Sequence, residues 1–296
     1  MKCFFLILSF CLCAVCGRAV PVEMTDIPAL QRLPVNAIHR IYQDREGYIW
    51  YGTVNGLCRD DGYQVQAFRS DFNRRGLLAN NLVECITEDG DGCIWFGTDK
   101  GAYRMSKRDY RVEPVGHPLL DGRMVCQMYR TKDGSVWISV SGSLLRYRDH
   151  RLLKVYPTRN DSVPTYVYGF CEGRGGEILL LYSNGLIHRL DTVQDEPVPL
   201  PDGNLRHNFS AIVQDAEQDY YWLATWGSGI YRFSPSAVPD SMFVRQNTEG
   251  SAVGDSPILY MVRDDRHKRI WTTTLVGLQA YDSADGRLRP CRVETD

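Results

Sequence analysis

The thirteen residues from Asp44 to Gly56, D-R-E-G-Y-I-W-Y-G-T-V-N-G, return as D-G-D-G-C-I-W-F-G-T-D-K-G from Asp89 to Gly101, and weaker copies carry Trp137, Trp222 and Trp271. Asp44 and Gly47 bracket a tight reversal, because Asp can bond its own backbone and Gly tolerates positive φ. Asp89 and Gly92 repeat that pair. Between the turns, Ile49 and Tyr51 alternate with Trp50 and Gly52, the two-residue period of a strand. Asn55-Gly56 then supplies a second hairpin turn. The unit reads as strand, turn, strand, turn, strand.

The anchors Trp50, Trp95, Trp137, Leu180 (at the tryptophan position of a degenerate fourth copy), Trp222 and Trp271 lie 45, 42, 43, 42 and 49 residues apart. A period in the forties with four strands per unit is that of a propeller blade. The expected fold is all-β, a β-propeller of about six four-stranded antiparallel blades near residues 36–75, 76–118, 119–160, 161–204, 205–250 and 251–296. A lone blade leaves both faces wet, so each anchor must bury against a neighbour, contributing about 1.5–3 kcal/mol apiece. The tryptophans are therefore read as core, not as ligand contacts.

Residues 1–19 have the pattern of a secretory signal: Lys2, then an apolar run from Cys3 to Cys16, then Gly17-Arg18-Ala19 where cleavage needs small residues. Val15 before Cys16 does not fit a lipobox. Residues 20–35 form a lead-in that could offer an edge strand to close the ring, although its prolines limit the length. Export to the periplasm follows as the expected localisation. The net charge is −2 and falls to −4 without Lys2 and Arg18, so nothing recruits phosphates and nucleic acid is not an expected partner. Seventeen Tyr, six Trp and 26 Gly suit short strands on tight turns.

Those segments carry a resemblance. The pattern D-x-x-G-x-[IL]-W-[FYIL]-[GA]-T-x-x-G-[LI], best matched at Asp44–Leu57 and Asp89–Gly101, resembles the two-component regulator propeller repeat. Gly76-Leu-Leu-Ala-Asn-Asn-Leu82 resembles the family's lead into an inner strand, and Trp222-Leu-Ala-Thr-Trp-Gly-Ser-Gly-Ile230 its W-x-G-T-W-G-G-G-L variant. The resemblance implies the periplasmic sensor region of Bacteroides-type hybrid two-component systems, an oligosaccharide ligand, and control of carbohydrate-utilisation genes. Such sensors usually carry two seven-bladed propellers, an immunoglobulin-like domain, a membrane helix, a kinase and a regulator. Here six units are visible, so an incomplete seven-bladed ring stays open, as does a second propeller or a second copy as partner. No kinase or receiver motif is present in the sequence.

Chemistry is sparse. The histidines (His39, His117, His150, His188, His207, His267) show no metal spacing and read as surface or loop residues. Ser141-Gly142-Ser143 lacks a nucleophile elbow. Asp60-Asp61 and Asp264-Asp265 read as turns. Six cysteines beyond the leader form no C-x-x-C and mostly occupy apolar strand positions, so neither a metal nor a specific disulfide is expected. No cofactor and no catalytic residue is assigned. Alternating strand directions put the Asp-x-x-Gly turns on one face of the disc, and the Thr-x-x-Gly turns with the inter-blade connections on the other. On that second face Asn55, Asp99, Lys100 and Trp226, with Tyr166 and Tyr168 at the entry to the fourth repeat, are the candidate ligand-binding residues. Two alternatives remain: a propeller glycosidase or lyase, since Asp-x-x-Gly-x-x-Trp also resembles the aspartate box of sialidase-type propellers, and a free-standing protein-docking propeller.

Overall fold

The computed structural model describes residues 20–23, 31–35, 37–69, 80–160, 163–191, 193–200, 208–234, 243–245, 257–275, 277–282 and 287–294. The leader reading, residues 1–19, lies outside them. Among the described residues six four-stranded antiparallel blades follow one another, each with its four strands in sequence order, and a two-stranded hairpin, Arg159–Asn160 with Val163–Pro164, lies between the third and the fourth. The first blade comprises Ile38–Gln43, Ile49–Thr53, Gly56–Asp60 and Val65–Phe68. The inner strands of the other blades are Val83–Glu88, Val125–Arg130, Val167–Glu172, Phe209–Gln214 and Ile258–Asp264. Val20–Glu23 lies parallel to Arg287–Glu294 on the outside of the sixth blade. Among the described residues no helix is long and apolar enough to cross a membrane.

The repeated segment folds as its chemistry demands. Asp44 is buried, and its Oδ1 accepts the Glu46 and Tyr48 backbone N–H groups while Oδ2 accepts the Trp50 indole N–H at 2.9 Å. Asp89 does the same for Asp91, Cys93 and Trp95, the last at 2.7 Å. Asp215 holds Trp222 at 2.7 Å, and Asp264 holds Trp271 at 3.2 Å. One carboxylate thus shapes the turn and satisfies the indole of the strand that follows. In the third blade Thr131, not Asp133, meets the indole, at 3.2 Å from Trp137.

The fourth repeat is built differently from expectation. Its register pairs Leu179 with Cys171 and Arg189, the partners that Trp50 finds in Tyr42 and Arg59. Leu179 is therefore the anchor. Leu180 points the opposite way, into the cluster around Trp137. The aspartate position falls on Gly173, where an added Cβ would strike the Glu177 carboxylate and the Tyr221 hydroxyl. Those two groups are hydrogen-bonded to each other and fill the space an aspartate occupies elsewhere. Size is exchanged across the same sheet. Gly169 faces Leu181, whereas Cys85 faces Gly97 in the second blade.

Five apolar clusters fill the contacts between successive blades from the first to the sixth. Among the described residues none spans the sixth and first blades. There Leu33 of the lead-in packs on Tyr51 and Cys58. Ile41 is 59% exposed, although its counterparts Ile86, Met128, Phe170, Ile212 and Met261 are at most 8% exposed. Across this seam Val262 is 48% exposed and Trp271 only half-buried. The burial expected of every anchor thus fails for Trp271, because among the described residues no neighbouring sheet covers it.

Candidate functional site

All six inner strands line one central cavity of about 550 Å³, within the range of small-molecule sites, about 300–1,000 Å³. Each inner strand carries a register shift near its start, which leaves one extra residue: His39, Glu84, Cys126, Tyr168, Ser210 and Leu259. A bulge turns a strand and re-aims its side chains, a device common at barrel rims and sites. Here the same bulge recurs in every blade. Cys126, Tyr168, Ser210 and Leu259 line the cavity, and His39 Nδ1 and Glu84 Oε2 lie 3.2 Å apart. Sequence reasoning missed this ring. Its signal is positional: in the second to sixth blades it is the residue after the first buried residue of the inner strand, Val83, Val125, Val167, Phe209 or Ile258.

Further along the strands come Arg40, Gln127 and Tyr260, then Tyr42, Tyr129 and Arg130. Arg40 Nε donates to the Glu84 carbonyl at 3.3 Å, and its guanidinium lies 5.7 Å from the Tyr260 ring centre. Gln127 Nε2 donates to the Tyr168 carbonyl at 3.0 Å. The Tyr168 hydroxyl donates to the Phe209 carbonyl. Burial pushes the Tyr168 phenol far above its ordinary value and that of Tyr129 to about 12. Burial likewise lifts the Cys126 thiol to about 11, so at neutral pH it is a thiol and not a nucleophilic thiolate. The six described cysteines are unpaired.

Of the candidates read from sequence, only Tyr168 lines the cavity. Tyr166 stands edge-on to it, ring centres 6.3 Å apart. Asn55, Asp99 and Lys100 sit in turns between second and third strands, the end of the disc where the inner strands begin. The Thr-x-x-Gly geometry there is real: Thr53 Oγ1 donates to the Gly56 carbonyl and accepts the Asn55 N–H, and Thr98 does so for Gly101 and Lys100. Gly56, at φ +107, needs to be glycine because a Cβ would collide with the Phe68 carbonyl. Trp226 is 56% exposed; its backbone N–H donates to the Asn208 carbonyl, and the residue forms an isolated antiparallel β-bridge with Pro257.

On the opposite end, charged side chains clamp neighbouring blades. Lys107 Nζ reaches Glu88 at 2.7 Å, Glu46 at 3.0 Å and Asp44 at 3.4 Å. Although burial works against the ammonium, these carboxylates hold its pKa above the usual lysine value. One blade further on, His150 takes the same role toward Asp89 at 3.0 Å and Asp91 at 3.3 Å. Asp89, Cys93 and His150 bring potential metal ligands within 4.8 Å of one another. Both Asp89 oxygens are already committed to the turn and the indole, so the cluster reads as a clamp between blades.

The two-component regulator propeller model matches residues 32–55 and 76–100. No curated protein matches the sequence. Among solved structures, a catalytically inactive variant of virginiamycin B lyase from Staphylococcus aureus, crystallised with quinupristin, is 15% identical with a TM-score of 0.65, over 83% of this chain and 80% of that one. PorZ, a surface component of the type-IX secretion system of Porphyromonas gingivalis, is 17% identical with a TM-score of 0.67, over 87% of this chain and 41% of that one. The extracellular domain of a putative hybrid two-component system of B. thetaiotaomicron is 17% identical with a TM-score of 0.53, over 85% and 41%. At such identities the likeness speaks for the fold. The chain spans about two fifths of the last two structures.

Proposed function

This chain carries two-component regulator propeller repeats, and from that premise we propose that it is an exported, non-catalytic sensing module. Its ligand is an oligosaccharide that enters the central cavity from the end where the inner strands begin. Domains outside this chain would turn that binding into control of carbohydrate-utilisation genes. The observation that carries the reading is the convergence of six bulged inner strands on one cavity edged by aromatic rings, hydroxyls and an amide. Aromatic faces stack on the C–H patches of sugars while hydroxyl and amide groups serve their oxygens.

A catalytic reading rests on one feature, the His39–Glu84 pair at 3.2 Å, because a carboxylate can orient an imidazole for base catalysis. Calorimetry against a panel of oligosaccharides, followed by product analysis, separates the two. Binding without cleavage supports the sensor. Bond cleavage that His39→Ala abolishes would replace it with the enzyme reading.

A further inference from the structure

The cavity wall is unbalanced in charge. Its lining includes Arg40 and Arg130 and no Asp or Glu among the described residues. The carboxylates on the inner strands of the first four blades are engaged elsewhere: Glu84 with His39, Glu88 with Lys107 and the Arg45 N–H, Glu172 with the Lys132 N–H. Neither arginine appears in an ion pair among the described residues. The Arg130 Nε is buried with no hydrogen-bond partner, and so is the Ser210 Oγ. Burying an unpaired charge or an unmet donor is costly, so such groups are normally matched by a partner or an ion. A guanidinium presents a planar fork of donors that fits the two oxygens of a carboxylate or sulfate.

Resting on the sugar-sensing reading above, we propose that the ligand is an acidic saccharide, one bearing a carboxylate or a sulfate ester, whose anionic group is held by Arg130 within the cavity. Arg40 lies three positions earlier on its own strand than the Arg130 counterpart, roughly 10 Å along the cavity at about 3.3 Å per residue. That separation places a second cation where a neighbouring sugar unit of the same chain would carry its own charge. The Tyr260 ring under Arg40 and the Ser210 hydroxyl complete a wall that grips both the charge and the ring.

The test uses the full chain and three probes on one sugar scaffold: a neutral galactose trimer, a galacturonate trimer, and a sulfated galactose disaccharide, each titrated by calorimetry. The expected result is that at least one charged probe binds at least about tenfold tighter than the neutral trimer. Its affinity falls as sodium chloride is raised, since screening weakens charge pairing. Which charged probe wins tells carboxylate from sulfate. Arg130→Gln removes the preference, a ratio that a general folding defect would not alter. Equal or tighter binding of the neutral trimer, or a preference unchanged in Arg130→Gln, overturns the acidic-ligand inference and leaves sugar sensing standing. Binding of none of the three counts against both.

Discussion

Replacing Asp89 by alanine is the sharpest perturbation of the repeat. Asp89 is 4% exposed and accepts three hydrogen bonds, from Asp91 N at 2.9 Å, Cys93 N at 2.8 Å and Trp95 Nε1 at 2.7 Å. Trp95 is itself buried, so its indole N–H would be left unmet, at a cost of about 1–3 kcal/mol. The two backbone donors lie beside exposed turn residues where water can enter, and losing their charged acceptor costs about 1 kcal/mol more in total. His150 of the next blade loses its 3.0 Å partner as well. The expected loss is about 2–4 kcal/mol, large beside the marginal stability of an ordinary domain. Urea unfolding followed by circular dichroism measures it as a lower midpoint with an unchanged slope. Asp99→Ala, in the turn at the other end of the disc, is the control and should stay within about 0.5 kcal/mol of the parent. A loss under about 1 kcal/mol for Asp89→Ala would refute the idea that one carboxylate couples turn to anchor.

The open seam predicts an asymmetry between equivalent positions. Ile86→Ala should cost about 2–5 kcal/mol in the same urea assay, while the exposed Ile41→Ala should change stability by about 0.5 kcal/mol or less. Leu179→Trp should destabilise by about 1–3 kcal/mol, because the site is full and Gly173 offers the indole no acceptor. Acid unfolding should have a component between about pH 4 and pH 2. Burial works against the Asp264 carboxylate, but hydrogen bonds from His267 and Trp271 outweigh it and hold its pKa at about 2. Its contribution is therefore complete above the unfolded-state value of about 3.9 and disappears as pH falls through about 2. Asp264→Asn should flatten that part of the pH–stability curve.

The architecture was readable because its determinants are local. A turn aspartate, a glycine with positive φ and a two-residue alternation specify a blade without reference to distant residues, and the period then specifies the ring. The fourth repeat misled by one residue, since Leu179 and Leu180 are equally apolar and only pairing with Arg189 tells which faces forward. Gly173 could be understood only with Tyr221 of the next blade, which meets Glu177 of the same turn, in view. The exposure of Trp271 likewise depends on what adjoins it, which no repeat encodes. For the site, strand alternation pointed to the end of the disc where the inner strands begin, and of the residues named there Tyr168 lines the cavity. The bulge ring and the two arginines did not, because a bulge is visible only in cross-strand register and a charge imbalance only where six separate strands meet.

Hydrogen–deuterium exchange on the full chain, with and without a saturating oligosaccharide, bears most directly on the claim that the central cavity is where this propeller meets its ligand. The account predicts slowed exchange confined to the inner strands and the connections entering them, around residues 38–41, 125–128 and 167–170, with the saccharide recovered intact. Protection at the aspartate-turn end or on the outer strands, or recovery of a cleaved saccharide, would contradict it.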